Sequence, residues 1–337
     1  MLKIGIIGGG IRGQLFARAI QCLEGVEVAG VADPVARTRE TITRHLGIPT
    51  FASHEMLLDK CDGIIVATPD FAHLGVAVDT AEAGLPMLLE KPLTTSVVEA
   101  ETLRACLQQH SVAAYVGFEN RWANTFRQAK ASIDAGQIGR VKTQFCRLSD
   151  SRSVPDTMLS WASQSSPGWF LMPHTVDLAV WLGGSRVRSV QARGVSGTLT
   201  SAGIDTLDAI FAILTMENGS LVSLDSNWSL PLSFPSVVDF RVDIVGSDGA
   251  ITVDNLEQML TVVTDRVDYP RTLGSEVAGR LQGPAAWMVQ SFARKLQGHS
   301  EDLPSLEEGI HVTQVIEAIH KSIVSENTVD VRTEQPA

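Results

Sequence analysis

Cysteine is sparse and unpatterned in this chain: Cys22, Cys61, Cys106 and Cys146 are widely spaced singletons with no CxxC among them. That argues against a disulfide framework, and the first three lie in apolar-periodic or strand-edge segments that suit reduced structural thiols. Long hydrophobic runs are missing as well. No stretch approaches the roughly 18 to 20 apolar residues that span a bilayer, and the N-terminus reads as a strand, not as a charged segment followed by a secretory core. The expectation is a cytoplasmic protein without membrane contact. Positive charge is also short: 27 Lys and Arg against 38 Asp and Glu leave a net charge of -11, which argues against nucleic acid as a partner. The eight histidines show no HxxxH spacing and no clustered acids, so no metal is expected.

What is present is ordinary globular material. With 337 residues, 44% apolar and 19% charged, the chain can build two cores. From Lys3 to about Gly117, short apolar runs (3–7, 26–33, 63–67, 86–90, 113–117) alternate with helical patterns (11–23, 34–46, 71–83, 96–109). Alternation of this kind predicts an α/β domain, a doubly wound parallel sheet covered by helices. Ser96-x-x-Glu99 is a capping box that opens the last of those helices. After a helix near 124–135 the rhythm changes to successive strand-like runs at 141–148, 187–195, 206–216, 220–228, 238–245 and 250–253, with helices at 169–182, 285–296 and 306–325. The prediction is a dinucleotide-binding domain over 1–120. A second domain over 121–337 is built on a largely antiparallel open sheet, with the C-terminal helix packing back on the first.

The first strand runs into Gly8-x-Gly10-x-x-Gly13, with Ile11 and Arg12 inside the turn. The first glycine permits a tight turn, the second lets backbone amides approach a pyrophosphate, and the third lets helix pack on strand. The helix N-terminus then favours the anion. Alone the motif is weak, but the second strand ends at Asp33, about 20 residues on, where a carboxylate can accept both adenine-ribose hydroxyls. The plainer reading of Asp33, as a cap on a helix that starts at Pro34, needs only local chemistry and is compatible with the first. A carboxylate there repels a 2′-phosphate by about 4 kcal/mol for unit charges 4 Å apart at an effective dielectric of 20, which places NAD ahead of NADP. Arg37, one turn further, pulls the other way.

Two further segments follow parallel strands: Thr68-Pro69 with His73, and Glu90-Lys91-Pro92. Both belong at the carboxyl ends of strands, where open sheets of this class bind ligands. Together with Gly117-Phe118, Asn120, Arg121, Ile138-Gly139-Arg140, His174-x-x-Asp177, Gly246-Ser247-Asp248-Gly249 and Glu317-Ala318, the chain resembles the Gfo/Idh/MocA oxidoreductase family over nearly its whole length. The resemblance implies a Rossmann domain joined to an α/β domain whose open sheet forms a homodimer or homotetramer interface. It also implies oxidation or reduction of a carbinol carbon in a sugar, cyclitol or related polyol. Lys91 then occupies the proton-transfer position. An amine can take the hydroxyl proton if its pKa falls from about 10.4 toward neutrality, and burial and a cationic nicotinamide both push it that way.

His174 matches the family's active-site histidine, expected to orient the reacting hydroxyl. Many members carry an aspartate four residues earlier; here Phe170 stands in that place, and no acidic residue lies between Asp156 and His174. Proton transfer is therefore assigned to Lys91, with Glu90 and Asn120 beside the cofactor. Trp161 and Trp169 flank a Ser/Gln/Pro/Gly loop and are, with Phe170 and Arg121, the candidate substrate contacts. Two other functions stay open at this point: a glycoside hydrolase or epimerase that uses transient oxidation by NAD, and a non-catalytic dinucleotide sensor.

Overall fold

The computed structural model describes residues 1–255, 261–269 and 274–331. The chain divides into two compact units, residues 1–123 with 273–310 and residues 124–272 with 311–337. Among the described residues no helix is long and apolar enough to cross a membrane, and all four cysteines are free thiols.

The first unit carries β1 (Leu2–Ile7), β2 (Val26–Ala32), β3 (Thr50–Phe51), β4 (Gly63–Val66), β5 (Met87–Leu89) and β6 (Ala114–Val116), a six-stranded sheet in the order β3-β2-β1-β4-β5-β6. Every pairing is parallel. Strands such as Gly63–Val66 are buried along their whole length, as expected where helices cover both faces. The crossovers are α1 (Ile11–Gln21), α2 (Ala36–Leu46), α3 (Glu55–Leu58), α4 (His73–Glu82) and α5 (Val97–His110). Ser96 caps α5 by accepting from the Glu99 N–H, while the Glu99 carboxylate reaches Thr95 rather than Ser96. The order reverses between β1 and β4, and the ends of those two strands form the ligand crevice of such a sheet. A short hairpin, β15 (Ser275–Val277) and β16 (Arg280–Gln282), and α10 (Pro284–Leu296) complete this unit. Met288, Val289 and Phe292 of α10 enter the same core as Ile4, Phe16 and Ile20.

The second unit holds α6 (Asn124–Asp134) and a seven-stranded mixed sheet. Its strands are β7 (Val141–Asp150), β8 (Val187–Val195), β9 (Ala209–Met216), β10 (Leu221–Asn227), β11 (Val238–Gly246), β12 (Ala250–Asp254) and β17 (Val329–Asp330), ordered β12-β11-β7-β10-β9-β8-β17. Only β7 and β10 pair in parallel. Alternation decides the faces: in β9, Ile210, Ala212 and Leu214 are buried while Phe211 and Ile213 are 47% and 44% exposed. The predicted helix over 169–182 is two helices, α7 (Pro167–Phe170) and α8 (Met172–Gly183), broken at Leu171. The helix α9 (Thr198–Ser201) and the small hairpin β13 (Val262–Val263) with β14 (Val267–Asp268) lie in connections. The helix α11 (Leu306–Ser325) spans the boundary between the two units.

Candidate active site

The glycine turn after β1 is built as its spacing demands. Gly8 has φ +99°, and a Cβ there would meet the Ala67 carbonyl at 2.4 Å; a Cβ on Gly13 would meet the Gly8 oxygen at 1.9 Å. A Cβ on Gly10 would meet nothing within 4 Å, so that glycine borders open space. No side chain caps α1 at Gly10, which leaves first-turn amides for an anion. Ile11 is 59% exposed beside them. Asp33 does not cap α2: the residue before that helix is Val35, and the helix has no side-chain cap. Instead the Asp33 carboxylate accepts from the N–H groups of Gly9 and Val35, both at 2.8 Å, and so ties the end of β2 to the glycine turn. Arg37 is exposed at the start of α2, whereas Arg39 folds back onto the Asp33 and Pro34 carbonyls.

At the end of β4, Thr68 has a buried hydroxyl without a hydrogen-bond partner among the described residues. Pro69 opens a short 3-10 turn, Asp70–Ala72. His73 is fully buried between two backbone carbonyls, Pro92 at 2.7 Å and Thr68 at 3.1 Å, and so staples this loop to the turn after β5. The open edge at Gly10, the free first-turn amides, the Asp33 carboxylate and the orphaned Thr68 hydroxyl fit a dinucleotide.

The Arg12 side chain is taken up by two carboxylates. Its Nε and Nη2 both donate to Glu90 Oε1, at 2.9 and 2.6 Å, and Nη2 also reaches Glu119 Oε2 at 2.6 Å. Burial works against the guanidinium's charge, but Glu119 and Glu90 outweigh it and hold the group protonated. The other Glu90 oxygen accepts the backbone N–H of Lys91 at 3.1 Å, and the Lys91–Pro92 bond is cis. Burial pushes the half-buried Lys91 ammonium below its ordinary pKa; Glu90 opposes that shift and Arg12 adds to it. Asn120 lies in the 3-10 turn Glu119–Trp122, and Arg121 beside it is taken up by Glu308 at 2.7 Å. Glu119 carries no sequence signal, because only the fold joins it to Arg12.

In the second unit, Ser166 caps α7 by accepting from the Trp169 N–H and donates to His320 Nε2 at 2.9 Å, while His320 Nδ1 donates to the Ile316 carbonyl. Trp169 stacks on the His320 ring at 5.3 Å and 11°, and burial lowers the pKa of that histidine. A Cβ on Gly168 would meet His320 Cε1 at 2.5 Å, so glycine permits the approach. Phe170 instead contacts Trp161 at 6.0 Å and the fully buried Trp228 at 5.6 Å. The structure thus separates the two loop tryptophans: Trp161 joins the aromatic trio, and Trp169 belongs to the His320 stack. His174 sits half-buried in the first turn of α8, with Asp177 buried one turn later. Neither His320 nor Ser166 carried a sequence signal. The fold also gathers His54, Glu55 and Asp79 at the surface, with His54 Nε2 2.7 Å from Asp79.

Comparison with known proteins agrees with this geometry. Residues 2–118 match a family model described as the oxidoreductase family with an NAD-binding Rossmann fold, and residues 126–252 match the GFO/IDH/MocA C-terminal domain. The chain is 25% identical over 271 residues to a scyllo-inositol 2-dehydrogenase (NAD(+)) of Bacillus subtilis, covering 78% of this chain and 77% of that protein. It is 24% identical over 341 residues to an inositol 2-dehydrogenase of Rhizobium meliloti, covering 98% and 99%. A crystal structure of scyllo-inositol dehydrogenase from Lactobacillus casei with bound NAD(H) and scyllo-inositol superposes with a TM-score of 0.85 at 19% identity, covering 98% of this chain and 99% of that one.

Proposed function

The chain belongs to the Gfo/Idh/MocA family of NAD-binding oxidoreductases, and from that premise we propose that it interconverts a carbinol and a carbonyl in a sugar, cyclitol or related polyol, with Lys91 as acid and base. The observation that carries this reading is the setting of Lys91: it follows β5 at the carboxyl edge of the sheet, and burial holds its amine below the usual lysine range. The relatives named as inositol dehydrogenases support the substrate class. When bound, NAD supplies the hydride acceptor or donor. The glycine turn and the first turn of α1 would hold its pyrophosphate, Asp33 its adenine ribose, and Thr68 and Asn120 would border the far end. In oxidation the neutral Lys91 amine takes the proton of the reacting hydroxyl; in reduction the ammonium returns it to the carbonyl oxygen. From the family resemblance, His174 is assigned the part of orienting the reacting hydroxyl, and Trp161 and Phe170 that of offering aromatic faces to the C–H face of a ring. The pairing of Arg121 with Glu308 gives that arginine a positioning part.

The first 120 residues or so carry the cofactor, and the rest carries substrate recognition and assembly. The outward face of the second sheet exposes Phe211, Ile213, Leu221 and Val245 at 44–48%, which supports a homodimer or homotetramer through this face. Four free thiols suit the cytoplasm. The experiment is a panel of sugars, cyclitols and their keto forms, followed by NAD(H) absorbance in both directions for the parent protein and Lys91→Ala. Net turnover of a polyol that vanishes in the variant is the expected result. Turnover equal in both proteins removes Lys91 from the chemistry, and conversion of a glycoside or epimer without net NADH replaces the dehydrogenase reading.

A further inference from the structure

A cation in the first turn of a helix is unfavourable, because the helix dipole and the free amides there prefer an anion. Arg12 nevertheless occupies that turn in α1, directly after the glycine edge. Its fork spans residues 78 and 107 positions away, Glu90 and Glu119, and the Phe16 ring sits 4.9 Å beneath the guanidinium carbon. Three of the four oxygens of these two carboxylates are committed: Glu90 Oε1 and Glu119 Oε2 to Arg12, Glu90 Oε2 to the backbone of Lys91. We propose that Arg12 is a positioning residue: it holds the Glu90 and Glu119 carboxylates on its own guanidinium, and so keeps the neighbouring Lys91 amine able to cycle between neutral and charged forms. This rests on Lys91 as the acid and base.

The sign follows from the charges that face Lys91. They include Glu90, directly after its own strand; Arg12, from α1; buried Asp70, from the turn after β4; and Glu119, from the turn after β6. With Arg12 in place these sum to -2. Without it they sum to -3, and two carboxylates lose their partner and become free to pair with the ammonium. Both consequences stabilise the charged amine. Removing Glu119 does the opposite, because one anion is lost while Glu90 still engages Arg12.

The test is the pH dependence of Lys91 acylation by a limiting amine reagent, read by peptide mass spectrometry on the full chain without added cofactor, beside the pH profile of alcohol oxidation. Arg12→Gln should move the Lys91 midpoint up by about one pH unit, and Glu119→Gln should move it down. The rate limb for oxidation should shift in the same directions. Arg12→Lys, which keeps a charge but cannot fork across both carboxylates, should fall between parent and Arg12→Gln. If Arg12→Gln does not fold, the opposite displacements of Glu119→Gln and Arg12→Lys decide. Unchanged midpoints in folded variants, or an upward shift in Glu119→Gln, overturn the proposal. Should Lys91→Ala retain turnover, the catalytic reading fails, while the labelling midpoints still report whether Arg12 governs the amine.

Discussion

The two units treat ionisable groups near their candidate residues in opposite ways. In the first, charge is largely buried and paired: the half-buried Arg12 guanidinium is fixed between two carboxylates beside Lys91. In the second, the groups packed around α7 are aromatic or neutral, and the acid of α8, Asp177, is buried one turn beyond His174. His320 is buried uncharged against Trp169, and Phe170 lies between two indoles in a stretch without acids. Buried charge is costly unless paired, so a paired network marks a place where charge has work to do. Neutral aromatic surface offers shape and C–H contact instead. The contrast supports the proposal that proton transfer belongs to the first unit and substrate choice to the second.

The largest expected effect tests that division directly. Lys91→Ala should lower kcat by about 10³-fold, within the usual contribution of a general acid or base, while NAD affinity by fluorescence titration stays within a few-fold. His174→Ala, removing only an orienter, should cost about 10-fold. Equal losses in the two variants would erase the contrast. The next effect concerns stability. His311, 2% exposed, has its Nε2 against the Val187 N–H and its Nδ1 3.1 Å from Arg186, and burial drops its pKa to about 4. The unfolded chain takes up a proton near pH 6.5 and the folded chain only near 4. Stability is therefore whole above pH 6.5 and lost as pH falls toward 4, by on the order of 3 kcal/mol. His320 adds in the same direction. Thermal midpoints at pH 7.5 and 4.5 should converge for His311→Gln relative to the parent; an undiminished acid loss would place the sensitivity elsewhere.

The elements that the sequence displayed well were those with strong local periodicity. The strand at Val187–Val195 and the helix after Pro284 stand where the pattern put them, because alternation and an N1 proline act over a few residues. The strand Thr50–Phe51 was not visible: two residues show no period, and pairing with β2 defines it. The break at Leu171 was hidden because the apolar rhythm runs through it. At the candidate site, glycines and strand-end residues were legible because their constraints are local. The partners of Arg12 were not, since Glu119 acquires meaning only when β6 lies beside β5. Likewise nothing near Trp169 announces a histidine 151 positions later.

Asp33 gives a smaller effect that sharpens the role of the first unit. In Asp33→Ala the repulsion of a 2′-phosphate disappears, and the ratio of kcat/KM for NAD over NADP should fall by about 10²-fold. Retention of the ratio would reduce Asp33 to its two backbone contacts with Gly9 and Val35.

The smallest effect separates the two loop tryptophans. Trp161 meets Phe170 edge-on, a contact of about 1 kcal/mol, its ring is half-buried, and it is the tryptophan proposed to meet the substrate. Trp161→Ala should raise KM about five-fold with kcat kept, since a C–H contact is made equally in ground and transition states. Trp169 stacks on His320, which is itself tied to Ser166 and to the backbone of α11. Trp169→Ala should therefore lower the thermal midpoint and leave KM nearly unchanged. If the two variants exchange these signatures, the His320 stack is the substrate surface and the Trp161–Phe170–Trp228 trio is core.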